Sequence, residues 1–289
     1  MTSDIRMYIE EYLTSIKNSG VKLTQGSLVS GLCCLVTFYS IHPDMNPTAE
    51  QQTKIRSYVL LYLHVDYYLD SPHVSNKDKA KLIMWLKDVN RDTRISAFHS
   101  QIHYLYTSFV KTDKDKKLFD RMIDITIESS AVQYNKKASK KQLNSVCRNK
   151  GGLTLLVGCR IIYGSELNHI SDSTLMLLGE CIQLLDDIAD CSADVRNGIN
   201  TSCVLHRRKH IYLDYMAGKL AVKSKGVCDV FPRHQKALMF LLLCCIDRSS
   251  NFSPYLRVRL KCSRYKLEKH KRSASASADI LLQEWMHRL

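Results

Sequence analysis

Proline is scarce in this sequence, five in 289 residues, and glycine is not abundant at eleven. All-β and βαβ proteins punctuate their turns with these two residues, so the shortage argues against both and predicts long helices. No apolar run reaches the ~20 residues that a membrane-spanning helix needs. The longest, at 153–157 and 238–246, fall well short. No two of the eleven cysteines stand in a CxxC spacing, which argues against a zinc site. Several lie in apolar stretches, as Cys244 and Cys245 do after Leu241, Leu242 and Leu243, and buried reduced thiols are expected. His99 and His103 are four apart without a surrounding HExxH, so both read as structural. The first residues carry Asp4, Glu10 and Glu11, unlike a secretory signal. These absences predict an all-α, soluble, cytoplasmic protein without stable membrane insertion.

Positive charge is what the chain has in excess. The formal charge is +14 and the pI near 9.2, which calls for an anionic partner. Nucleic acid, an anionic membrane surface and a diphosphate ester all qualify. The charge is densest over 257–272, with eight cations in sixteen residues. A nucleic-acid arm has this composition, but no zinc finger, RNP-like motif or DNA-binding signature accompanies it, so a basic helical nucleic-acid or scaffold protein ranks last among the readings.

Apolar periodicity predicts helices over residues 1–40 with a break at Gly20, over 55–69, over 77–110 as one long helix or a pair, and around 128–133. Residues 111–120, rich in lysine and aspartate, read as a solvated connection. Lys136, Lys137, Lys140 and Lys141 follow on an exposed face. Arg207, Arg208 and Lys209 read as a connector, with further helices at 211–220 and 233–246. Trp85, Phe98, Tyr104, Tyr106 and Phe109 are expected in the core.

The most informative stretch is an apolar run, Leu175 to Leu178 and Ile182, that leads into Asp186, Asp187, Asp190 and Asp194 with no proline before Gly198. At 3.6 residues per turn, Asp186, Asp190 and Asp194 share one face of a single helix. Carboxylates at this spacing repel, and near a helix C-terminus they oppose the dipole, so a cation should offset them. A few carboxylates with water and phosphate completing the shell suit Mg²⁺. The run also suits a solvated acidic face. Gly179, two turns earlier, leaves the same face open to close approach. A second acidic edge, Asp66 and Asp70, ends the 55–69 helix just before Pro72.

Arg148 and Lys150 precede Gly151 and Gly152, two glycines inside an apolar helical pattern. Each costs about 1 kcal/mol against alanine. Either a break that exposes backbone to an anionic ligand or a tight helix crossing accounts for them.

Two acidic edges about 120 residues apart, in this order, resemble the two metal-binding motifs of class I isoprenoid enzymes, the α-helical terpene synthases and trans-prenyl diphosphate synthases. Asp66 and Asp70 match the outer acids of the first motif, with Tyr67 in place of its second aspartate. Asp186, Asp190 and Asp194 match the ligand positions of the second motif, and Asp186, Asp187 and Asp190 also match the second DDxxD of the prenyl synthases. Arg148 or Lys150 stands where the family has a diphosphate-sensing cation beside a broken helix, and Arg264 with Tyr265 resembles a late Arg-Tyr motif that closes on diphosphate.

The resemblance implies a single α-helical bundle domain over 1–289 with a central cavity; within it the alternating Ser and Ala of 273–278 read as a flexible linker at 272–279, followed by a short C-terminal helix at 280–289. It implies Mg²⁺, three ions with Mn²⁺ able to substitute, held by Asp66, Asp70, Asp186, Asp190 and Asp194. Asp66, Asp70, Arg148 and Lys150 would carry catalysis, with Arg148, Lys150, Arg264 and Tyr265 on the diphosphate. The partner is then a small prenyl diphosphate and not nucleic acid, and a homodimer is compatible. Chain-elongating synthases carry an Arg-Arg pair soon after the first motif. Here Ser71, Pro72 and His73 follow Asp70 without arginine. That favours a terpene synthase acting on farnesyl diphosphate over a prenyl diphosphate synthase condensing isopentenyl diphosphate with an allylic one.

Overall fold

The computed structural model describes residues 14, 25–42, 47–71, 73–87, 97–208, 212–231, 234–236, 238, 239, 241, 242 and 252–258. Every regular element among them is helical: α1 (Gln25–Ile41), α2 (Ala49–Asp70), α3 (Asn76–Lys87), α4 (Ala97–Phe109), α5 (Asp113–Tyr134), α6 (Lys140–Val146), a π-helical turn (Cys147–Gly151), α7 (Gly152–Tyr163), a 3₁₀ turn (Gly164–Leu167), α8 (Asp172–Asn197), α9 (Ser202–Arg208) and α10 (Asp214–Lys225). None of them is long and apolar enough to cross a membrane.

Helix starts are written locally. Thr48, Ser139 and Thr112 each accept from the backbone N–H three residues on and close a capping box with Gln51, Gln142 and Asp115. The box at Thr112 corrects the reading of 111–120 as a connection. Asp113 and Asp115 occupy the first turn of α5, where carboxylates favour the helix dipole. Arg207 and Arg208 are likewise the last residues of α9 and not a connector.

α8 is the axis of the fold. Ser171 caps it by accepting from Thr174 N–H, and Asp172 sits in its first turn. It ends where Gly198 adopts φ 72°, and Gly198 and Ile199 both donate to the carbonyl of Asp194. Around it pack α1, α7, the π-turn, α9 and α10, while α2 lies against α1, α4 and α7. Leu175, Leu178, Cys181, Leu184, Leu185 and Ile188 are buried along α8.

An aromatic cluster fills the space beside it. Phe38 meets Tyr58 edge-on at 5.5 Å between ring centres, Tyr58 meets Phe109 at 4.7 Å, and Tyr106 meets Phe119 at 5.1 Å. The cysteines at 33, 34, 147, 159, 181, 191 and 203 are buried free thiols, as expected, and Cys228 is partly exposed.

The glycines at the π-turn are explained by packing. A Cβ on Gly151 would lie 2.5 Å from the carbonyl oxygen of Gly179 and 2.5 Å from Gln183 Cβ, and one on Gly179 would lie 2.3 Å from the carbonyl oxygen of Gly151. Gly152 meets the backbone of Met176 on the same helix. The open face at Gly179 is therefore closed by the π-turn itself, a tight crossing of two backbones.

Candidate functional site

That crossing sets the position of Lys150. A π-turn carries one more residue per hydrogen-bonded ring than an α-helix and so rotates its side chains out of the 3.6-residue phase. While Gly151 presses on α8, Lys150 reaches α2, where its Nζ donates to Asp66 Oδ1 at 2.8 Å across 84 positions of sequence. The lysine side chain is 4% exposed and the carboxylate 16%, so the pair is held largely away from water. A buried ammonium without a counter-charge would be strongly disfavoured.

Opposite stands the acidic part of α8. Gln183 Nε2 donates to Asp186 Oδ2 and to Asp187 Oδ1, each at 3.0 Å. The Asp186 carboxyl is held well above the usual range, first by burial and then by the carboxylates of Asp190, Asp66 and Asp187, with Lys150 opposing. Asp66 of α2 and Asp186 of α8 thus lie within electrostatic reach of each other, with the ammonium of Lys150 acting on both. Asp187, one residue on, is buried and lies within electrostatic reach of Cys147 and Cys203 as well as of Lys150. Burial raises its carboxyl to about 6, against the hydrogen bond from Gln183.

Two narrow cavities adjoin these groups. One, of about 320 Å³ of empty volume, lies between α2 and α5 and is lined by Asp66, Tyr62, Val65, Met122 and Thr126 among others. The other, of about 290 Å³, lies beneath the crossing and is lined by Cys34, Tyr62, Gly151, Thr154, Gly179 and Gln183 among others. Tyr62 is in both walls. Only a small part of either is wide enough for a water molecule, and the buried Thr154 Oγ1 in the second has no hydrogen-bond partner among the described residues.

The predicted site residues divide as follows. Asp66, Lys150, Asp186 and Asp190 come together. Asp194, two turns beyond Asp186, acts on Cys191 and Cys203 toward α9. Arg148 is exposed on the π-turn. Asp70 ends α2, but its side chain lies outside the described residues, as do Arg264 and Tyr265 entirely. Gln183 and Tyr62 were not singled out from sequence. An amide three and four residues before two acids on one helix was a signal for the first.

Among the described residues, no three or more His, Cys, Asp or Glu side chains are already gathered as a metal site. The donor chemistry nevertheless suits Mg²⁺, which takes one or two carboxylates and fills its shell with water and phosphate oxygens. The Asp186 carboxyl, raised by burial first and by the neighbouring carboxylates of Asp190, Asp66 and Asp187 second, is a position whose ionised form a bound cation would favour. No protein-family model, no curated protein and no solved structure matches the chain.

Proposed function

We propose that the chain is a class I isoprenoid enzyme, a Mg²⁺-dependent terpene synthase of the single-domain helical-bundle type that ionises an allylic prenyl diphosphate, with farnesyl diphosphate as substrate. The observation that carries this reading is the approach of Asp66 to Asp186 around the buried Lys150, from helices 120 residues apart. Surface acids on a structural protein have no need of such an arrangement, because each could be solvated separately at less cost.

Asp66, Asp186 and Asp190 would hold the metal, with Asp70 and Asp194 as the further ligands that the resemblance implies. When bound, Mg²⁺ supplies Lewis-acid neutralisation of the departing diphosphate and a template for its orientation. Lys150 stands ready to donate to a phosphate oxygen as charge develops there, and Arg148, exposed on the same turn, can reach the anion from solvent. Gln183 orients Asp186 through its amide. The Tyr62 ring and the apolar walls of the two cavities would exclude water from the allylic chain and face its cationic carbon with aromatic surface. Both cavities must widen to admit a prenyl chain, and Tyr62, common to their walls, is the side chain whose rotation would join them.

The test is incubation with geranyl, farnesyl and geranylgeranyl diphosphates in Mg²⁺, each with and without isopentenyl diphosphate. A hydrocarbon or alcohol from farnesyl diphosphate alone is the expected product. Longer diphosphates formed only with isopentenyl diphosphate would move the assignment to chain elongation. No turnover of any of them would remove the enzymatic reading.

A further inference from the structure

The fold collects lysines at one end of the bundle. Between Glu128 and Glu166 the sequence contains no acidic residue, and Lys136, Lys137, Lys140 and Lys141 in that interval are all exposed. The turn that bears them is fixed in place. Asn200, just beyond α8, donates its N–H to the carbonyl of Gln133 at 2.8 Å and its side-chain amide to the carbonyl of Asn135 at 3.2 Å.

Two tyrosines stand among these cations. Lys79 of α3 lies 5.9 Å from the ring centre of Tyr134, and Lys140 lies 5.3 Å from that of Tyr215 on α10. Both rings remain open to solvent, at 43% and 56% exposure. The strip therefore runs from α3 across the end of α5 and the start of α6 to α10. It shares an end with the acidic pair, because Thr126, which lines the cavity with Asp66, is eight residues before Tyr134, about 12 Å along α5.

We propose that this strip is a docking surface for an anionic phospholipid bilayer, bound peripherally. The cations are lysines, compact charges on long apolar stems that reach toward headgroup phosphates. Exposed tyrosines among them suit the water–headgroup boundary, with an apolar ring and a polar tip. Of the arginines nearby, which would provide forked recognition of nucleic acid, the two on α9 have partners within the protein: Arg207 donates to Ser192 Oγ at 3.0 Å and Arg208 to Asn200, while Arg148 on the π-turn is exposed. The proposal does not depend on the enzymatic reading.

Sedimentation of the full chain with phosphatidylcholine vesicles, with and without phosphatidylserine, tests it. Binding should require phosphatidylserine, weaken as salt is raised, and fall by about tenfold or more when Lys136, Lys137, Lys140 and Lys141 are all changed to Gln. An unchanged circular-dichroism melt would show that the variant folds; should it not fold, the Lys136→Gln/Lys137→Gln pair in the turn alone carries the test, with a smaller loss expected. Absence of binding to the anionic vesicles, or wild-type binding by a folded variant, overturns the proposal. So does a mixed-sequence single-stranded RNA bound as tightly at equal salt and released by the same substitutions.

Discussion

Gly179→Ala is a direct test of the crossing that positions Lys150, because two opposing effects of known size meet there. Alanine in the interior of α8 gains about 1 kcal/mol over glycine in helix propensity. Its methyl would lie 2.3 Å from the carbonyl oxygen of Gly151, 2.8 Å from that carbonyl carbon and 2.9 Å from Gly152 Cα. Carbon contacts settle near 3.5 Å, so the two segments must part by about 1 Å. All three neighbours are backbone atoms, and no rotamer change relieves the contact. Overpacking of this kind costs about 3 kcal/mol at the upper end of the usual range, which leaves a net loss of about 2 kcal/mol. For a chain of 289 residues, that lowers the melting temperature by about 4 °C. Gly218→Ala is the control, since Gly218 is exposed in α10 and a Cβ there meets nothing within 4 Å. It should raise the melting temperature slightly. Calorimetry reads both, and a Gly179→Ala protein that melts at or above the wild type would refute the crossing.

Three further outcomes are expected. Lys150→Met strands the Asp66 carboxylate and should cost about 3 kcal/mol in urea unfolding, most of it recovered when Asp66→Leu is added; a cost below about 0.5 kcal/mol, typical of surface pairs, would contradict burial of the pair. Asp187 titrates at about 6 in the fold against an ordinary 3.8, so its protonated form is the one the fold favours. Stability from this group is complete below about pH 4 and is lost as pH rises through about 6, a difference of about 3 kcal/mol. Asp187→Asn keeps an oxygen for Gln183 and should gain stability over the wild type between pH 4 and pH 7.5; an equal difference at both pH values counts against the assignment. Asp190→Ala should abolish metal-dependent turnover of farnesyl diphosphate while the circular-dichroism spectrum stays that of the wild type, and retained turnover would remove Asp190 from the ligand set.

What could be read in advance was local. The apolar spacing before Asp186 and the stop at Gly198 placed the C-terminal part of α8, and Pro72 placed the end of α2, because caps and breakers act within a turn of chain. The charged stretch 111–120 misled for the same reason in reverse: its lysines concealed a Thr112–Asp115 capping box that is legible once residues are taken three apart. The two glycines at 151 and 152 left a ligand-facing break and a tight crossing equally open. Only the partner backbone at Gly179 and Met176 decides between them. Least legible was the pairing of Lys150 with Asp66. The π-turn shifts the helical phase on which any pattern argument rests, and 84 residues separate the partners.

The most direct test of the central claim, that acids from α2 and α8 share divalent cations over a diphosphate, is a crystal grown with Mn²⁺ and inorganic diphosphate and measured at the manganese absorption edge. The account predicts anomalous peaks between the carboxylates of Asp66 and Asp186, with the ammonium of Lys150 turned from Asp66 toward the diphosphate. Diphosphate bound elsewhere, or no manganese between those two carboxylates while the Lys150–Asp66 pair stays closed, would contradict it.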